Sequence, residues 1–157
     1  MMYVFDNGSL RRLCENYYPA RFPSLWERFD ELVAAGSVIS VREVYNEIER
    51  WSPTRKLVQW AKEHKELFPP PSSEELEFVR EVFRVGHFQA LIEKKSILQG
   101  TPVADPFVIA KAKISGGIVV TEERFKENAA KMPNVCAHFG IDCMDLEGFM
   151  EREGWQF

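Results

Sequence analysis

A three-layer α/β domain, with helices on both faces of a central, mainly parallel sheet, is the fold this sequence predicts. Short apolar runs of strand length return between longer stretches with helical spacing, the order of elements that builds a parallel sheet through crossover helices. One run, Ile118-Val119-Val120-Thr121, is apolar almost throughout, as in a strand buried on both faces. The chain has 157 residues, 45% of them hydrophobic and 28% charged. That suits one well-packed core and leaves too little for two, so residues 1–157 are expected to form a single domain.

Each element has its own signal. Met2 to Phe5 is a short apolar run ended by Asp6-Asn7-Gly8-Ser9, a turn from which Asn7 or Ser9 can cap a helix beginning near Leu10. From about Ser24, the residues Leu25, Trp26, Phe29, Leu32 and Val33 repeat in helical register until Gly36. Ser37 to Val41 forms a second strand-like run. Arg42 to Trp51 follows as a helix, with Val44, Tyr45, Ile48 and Trp51 in register and Ser52-Pro53 as its stop. Another helix is predicted from Thr54 to about Leu67, before the stiff break Pro69-Pro70-Pro71.

Ser73 and the acids behind it suit a new helix start, and the helical pattern runs from Glu74 to about Lys95 with an interruption near Gly86. Gly100-Thr101-Pro102 separates this unit from the next, which Asp105-Pro106 opens as a helix, since proline is tolerated in a first turn. Gly116-Gly117 closes it, and the strand Ile118 to Thr121 follows. Short apolar stretches at Val135-Cys136 and from Ile141 to Met144 precede a closing helix from Asp145 to about Glu153.

The formal net charge of −4 and a pI near 5.5 argue against coating nucleic acid by bulk positive charge. Nucleic-acid contact, if made, is local. The cysteines Cys14, Cys136 and Cys143 are widely spaced and show no zinc-ligand pattern, which fits free thiols in a reducing cytosol. No run approaches the roughly 18 apolar residues of a membrane span, so a cytoplasmic protein without a membrane partner is expected.

Acids stand at the ends of the predicted elements: Asp6, Glu43 and Glu47, Asp105, and Glu122 with Glu123. Taken singly, each has a structural explanation. Asp6 and Asp105 suit helix caps, Glu43 and Glu47 lie four apart on one helix face, and Glu122-Glu123 neighbour Arg124 and Lys126 in what reads as a charged turn. Yet the carboxyl ends of parallel strands are where open α/β sheets build ligand sites, so the same acids could meet there.

Their contexts, YVFDNGSL, ISVREVYNEIE, TPVADPFVIAKA and IVVTEERF, resemble in order and spacing the four signature stations of PIN domains, the nuclease fold that includes VapC-type toxins. Position by position, the resemblance implies Asp6, followed by Asn7, as the first acid and Asp105 as the third. Glu47 fits the second station through Val44-Tyr45-Asn46-Glu47-Ile48, with Glu43 one turn earlier. At the fourth, many PIN domains carry T-x-D where this chain has Thr121-Glu122-Glu123, so Glu123 takes the family position and Glu122 stays a near alternative. The tail, from Lys131-Met132-Pro133 through His138-Phe139-Gly140 to Gly154-Trp155, resembles a PIN-like subgroup of bacterial and archaeal proteins assigned to toxin–antitoxin systems.

The resemblance therefore implies a PIN-like domain and a Mg²⁺- or Mn²⁺-dependent endoribonuclease, the toxin of a type II toxin–antitoxin pair. RNA would be the substrate, an antitoxin protein the partner, and a homodimer the assembly. Asp6, Glu47, Asp105 and Glu123 would be catalytic. The ion would be held by these four together with Glu122 or Glu43, since carboxylate clusters select hard cations. Thr121 could order a carboxylate or a water, and Arg124 and Lys126, beside the fourth station, could contact phosphate. A non-catalytic PIN-like module binding RNA or protein is the alternative.

Overall fold

A computed structural model describes residues 1–91 and 103–157. The continuation of the Glu74 helix to Lys95 and the Gly100-Thr101-Pro102 break lie outside the described residues. Four strands form one sheet: β1 (Tyr3–Phe5), β2 (Val38–Ile39), β3 (Ile118–Val120) and β4 (Cys143–Met144), in the spatial order β2-β1-β3-β4. Every pairing is parallel, with Tyr3 opposite both Val38 and Ile118, and Val119 opposite Cys143. The expected α/β/α layering is present, and the sheet is wholly parallel.

The chain leaves β1 for one neighbour, β2, and later returns on the other side as β3. The crevice between the ends of β1 and β3 is therefore the topological switch point of the sheet. β1 and β3 are buried along their whole lengths, which is why both read as unbroken apolar runs. Gly117 lets them meet, because a Cβ there would stand 2.8 Å from the carbonyl oxygen of Met2.

Among the described residues the helices are α1 (Asn7–Asn16), α2 (Pro23–Ala34), α3 (Arg42–Trp51), α4 (Arg55–Glu63), α5 (Ser73–Arg84), α6 (Asp105–Ser115), α7 (Met132–Phe139) and α8 (Leu146–Arg152). α1 starts three residues earlier than its apolar pattern suggests, because Asp6, rather than Asn7 or Ser9, is the cap and accepts from the Ser9 N–H. The predicted Thr54–Leu67 helix divides into α4 and a 3₁₀ turn at Lys65–Leu67. α5 opens on a capping box in which Ser72 and Glu75 bond each other's backbone N–H groups, and it ends at Arg84 before a 3₁₀ turn, Gly86–Leu91. Val135 and Cys136 fall inside α7, where they form its buried face.

Glu75 has a second role. Its Oε1 accepts from Lys111 Nζ at 3.1 Å, and with Glu75 buried and Lys111 nearly so, this ion pair fastens α5 to α6. On the opposite side of the chain's core, aromatic rings pack edge to face. Phe149 of α8 lies 4.8 Å from Tyr3, 5.1 Å from Phe5 and 5.2 Å from Trp155, centroid to centroid. The central strand thus rests on a residue eight positions from the last of the chain. Replacing Phe149 with alanine is expected to cost about 3–5 kcal/mol in urea unfolding, the range for a buried ring that leaves a cavity. A loss below about 1 kcal/mol would show that α8 does not support β1.

Candidate functional site

Asp6 follows β1 directly and is buried at the switch point. Its backbone N–H continues the ladder to Val120 O at 3.2 Å, so the carboxylate is aimed by the sheet rather than by a flexible turn. Both its oxygens are held. The Ser9 N–H donates to Oδ1 at 2.8 Å and the Thr121 hydroxyl donates to Oδ2 at 2.6 Å. Ser9 Oγ also lies 2.8 Å from Oδ1 and 2.9 Å from Val120 O, and its single proton serves one of them at a time.

Thr121 is buried and fixed in direction. The Glu123 N–H donates to its Oγ1 at 3.1 Å, leaving the hydroxyl proton for Asp6. Thr121 thereby links the first acid to the fourth. Glu123 bends back toward the start of α7, where its Oε2 accepts from the Met132 N–H at 2.9 Å. Glu122 points elsewhere: Oε1 accepts from the Leu146 N–H at the start of α8, and Oε2 pairs with Arg12 at 3.1 Å. Of the two glutamates, Glu123 is the one beside Asp6.

Glu47, half-buried on α3, reaches across the switch point. Its Oε1 accepts from the Ala104 N–H at 3.0 Å and its Oε2 from Asn7 Nδ2 at 3.4 Å. Glu43 stands one turn earlier but is paired with Arg42 at 2.9 Å, and its other oxygen is buried without a partner. Asp105 occupies the first turn of α6, yet Ala104 is the cap residue and no side chain caps that helix. The Asp105 carboxylate accepts no hydrogen bond from any described residue. Capping therefore accounts for Asp6 and leaves Asp105 unexplained.

Electrostatics shows which acids share a site. Burial is the largest influence on each of Asp6, Glu47 and Asp105, and it raises all three pKa values because the charged form is poorly solvated. Their neighbours add to the effect. Glu123, Asp6 and Glu47 all push Asp105 upward, to about 8, against a weaker pull from Lys131. Glu47 rises to about 7 through burial, with Asp6 as the charged neighbour. Asp6 is raised despite its bonds to Thr121 and Ser9, and Glu123 contributes to that. These four acids form one repelling cluster, with Asp105 feeling every other member.

Three helix N-termini face this cluster: α1 through its Asp6 cap, α6 through Asp105 in its first turn, and α7 through Met132. Their partial positive charge offsets some of the repulsion. Among the described residues, no three His, Cys, Asp or Glu stand close enough as they are to form a metal-holding group. Asp6, Glu47, Asp105 and Glu123 are the oxygen donors that could converge on a hard cation. Asn7 joins them, since its Oδ1 is buried beside Glu47 without a partner.

The two expected phosphate contacts differ in setting. Arg124 and Lys126 are both exposed. Arg124 lines a polar cleft of about 340 Å³ with Arg12, Glu122 and Asp145. Lys126 lies in a loop that Asn134 pins through both of its amide atoms. Ser9 and Lys131 were not legible as site residues. Ser9 has a local signal, three positions after a capping Asp, whereas Lys131 comes near Asp105 only through the docking of α7. No described helix is long and apolar enough to cross a membrane.

A family model described as "Domain of unknown function (DUF4411)" matches residues 3–157. Among solved structures, a crystal structure of PAE2754 from Pyrobaculum aerophilum aligns at 15% identity with a TM-score of 0.48, covering 99% of this chain and 98% of the other. No curated protein matches the sequence.

The raised carboxyls fix the sign of a pH dependence. A carboxyl whose folded pKa exceeds its unfolded value near 4 costs no stability while both forms are protonated, and stability is lost as pH rises through the folded pKa. With Glu47 at about 7 and Asp105 at about 8, that loss falls between roughly pH 4 and 8. Asp105→Asn is therefore expected to match the parent near pH 4 and, with chelator present, to exceed it by on the order of 1 kcal/mol or more at pH 8. Parallel urea-unfolding profiles for the two proteins across this range would contradict the cluster's repulsion.

Proposed function

We propose that this chain, which belongs to the DUF4411 family, is a Mg²⁺- or Mn²⁺-dependent endoribonuclease of PIN type. The observation that carries the reading is the convergence of Asp6, Glu47, Asp105 and Glu123 at the switch point of a parallel sheet, with Asp105 accepting from no described residue. Structural acids are held by donors. A half-buried carboxylate that repels three others and accepts from no described residue has acceptor capacity that a ligand would fill.

The donor set suits a hard divalent cation. It is all oxygen, and both Asp105 and Asn7 Oδ1 have unfilled acceptor capacity at the cluster. When bound, such an ion supplies charge stabilisation at a phosphodiester and lowers the pKa of a water. The chain's own residues do the rest. Thr121 and Ser9 hold Asp6 in one orientation, the Ala104 N–H holds Glu47, and the start of α7 holds Glu123. The resemblance of the acidic contexts to PIN stations supports RNA as substrate and the toxin role in a toxin–antitoxin pair. It equally supports an antitoxin partner, a homodimer and a cytoplasmic setting.

Purified protein with Mn²⁺ should cleave a fluorogenic single-stranded RNA, and EDTA should stop it. Asp6→Asn and Asp105→Asn should each lower the rate by about 100-fold or more while the circular dichroism spectrum stays that of the parent. Cleavage by both variants at the parent rate would remove the assigned site. In cells, expression should arrest growth and either substitution should relieve it; arrest by the inactive variants would mean that toxicity does not come from these acids.

A further inference from the structure

The chain has a second built feature, remote from the carboxylates. A cavity of about 910 Å³ opens between α2, α4 and the segment after α1. α1 begins at the Asp6 cap, and its ten residues rise about 15 Å before the chain reaches Pro19 and Ala20 on the cavity rim. None of the four acids lines it, so its occupant is independent of the nuclease reading.

Aromatic rings form one wall. Trp26 and Trp60 stand 6.2 Å apart, centroid to centroid, and Trp60 stacks on His64 at 4.5 Å. The Nε1 of Trp60 is buried and has no hydrogen-bond partner among the described residues, whose buried donors are otherwise mostly paired.

The charges around the cavity are unequal in their engagement. Asp30 lies 3.8 Å from His64, an ion pair only when that imidazole is protonated, and Glu63 accepts from the neutral Gln59 amide at 2.9 Å, so the lining sets three cations against two acids. Arg55, Lys56 and Lys62 form no ion pair or hydrogen bond with any described residue. Lys56 lies 5.8 Å from the Tyr18 ring, a contact that leaves its charge uncompensated. On a chain of net charge −4, this face of α4 concentrates free cations beside apolar rings. Arg55 and Lys62 are seven residues apart, two turns along one helix face, or about 10 Å.

We propose that this cleft docks an acidic peptide segment of a partner protein, with an aromatic or branched apolar side chain against the wall that Trp60 and His64 form. Two carboxylates about 10 Å apart then bracket that anchor and meet Arg55 and Lys62, as Asp or Glu at i and i+7 of a helix would. A nucleic acid is the poorer occupant. Its regularly spaced phosphates need a continuous basic track, whereas the lining offers three separate cations with two acids among them, which suits a peptide with two placed carboxylates.

The test selects a random-peptide display library on the full chain and titrates a synthetic peptide of the enriched consensus by tryptophan fluorescence. The expected consensus carries acids on both sides of an apolar anchor. The charge reversal Arg55→Glu/Lys62→Glu should weaken that peptide by about tenfold or more without moving the thermal midpoint. Asp105→Asn should bind it as the parent does, which separates this site from the nuclease reading. The proposal fails if no acidic consensus is enriched or if charge reversal leaves binding intact. It fails equally if an RNA oligonucleotide displaces the peptide, or if the reversal instead dissolves a self-association of the chain.

Discussion

Four carboxylates at one edge of a parallel sheet repel one another, though no three of them stand close enough to hold an ion as they are, and much of the surrounding structure is arranged to hold them despite that. Burial deepens the problem, since each charge has lost part of its water. The compensation comes from donors drawn from distant parts of the chain: the Ser9 N–H and the Thr121 hydroxyl for Asp6, the Ala104 N–H for Glu47, the Met132 N–H for Glu123. The bond from Thr121 to Asp6 depends on the register of β1 against β3. A slip of that pairing would turn Asp6 to the other face of the sheet and leave Thr121 without its acceptor.

The supports are themselves fastened. α6 carries Asp105, and its position against α5 is set by the Lys111–Glu75 pair, in which Glu75 also completes the capping box of α5. Removing one member of a buried pair leaves the other charge uncompensated, so this contact couples a distant helix start to the placement of Asp105. β1 is held from the other side by the rings of Phe149 and Phe29. Edge-to-face packing of that kind has little slack. The carboxylates can be close without the sheet edge giving way.

The fold was legible because parallel strands buried on both faces leave continuous apolar runs, as at Tyr3–Phe5 and Ile118–Val120, and because proline and glycine mark helix ends at Pro106 and Gly116. Val135-Cys136 was less so, since a short apolar stretch reads alike in a buried helix face and in a strand. Among the acids, periodicity could place Glu43 and Glu47 on one face without separating them. The separation comes from Arg42, which takes Glu43, and from the Ala104 N–H, which meets Glu47 across 57 positions of sequence. Glu122 and Glu123 are likewise told apart only by their partners, the start of α8 for one and the start of α7 for the other. Lys131 had no local signal at all.

On the nuclease reading, proton uptake and cation binding compete for the same oxygens. Glu47 and Asp105, at about 7 and about 8, hold protons over much of the neutral range, so a divalent ion entering the cluster must displace them. Its affinity then rises with pH through the window in which the cation-free fold loses stability. The two effects have one origin. Repulsion that burdens the ionised apo cluster is what a cation relieves, so the larger part of the ion's stabilising effect belongs above neutrality. Asp105, which feels the other three acids and accepts from no described residue, is where that exchange of proton for cation would be concentrated.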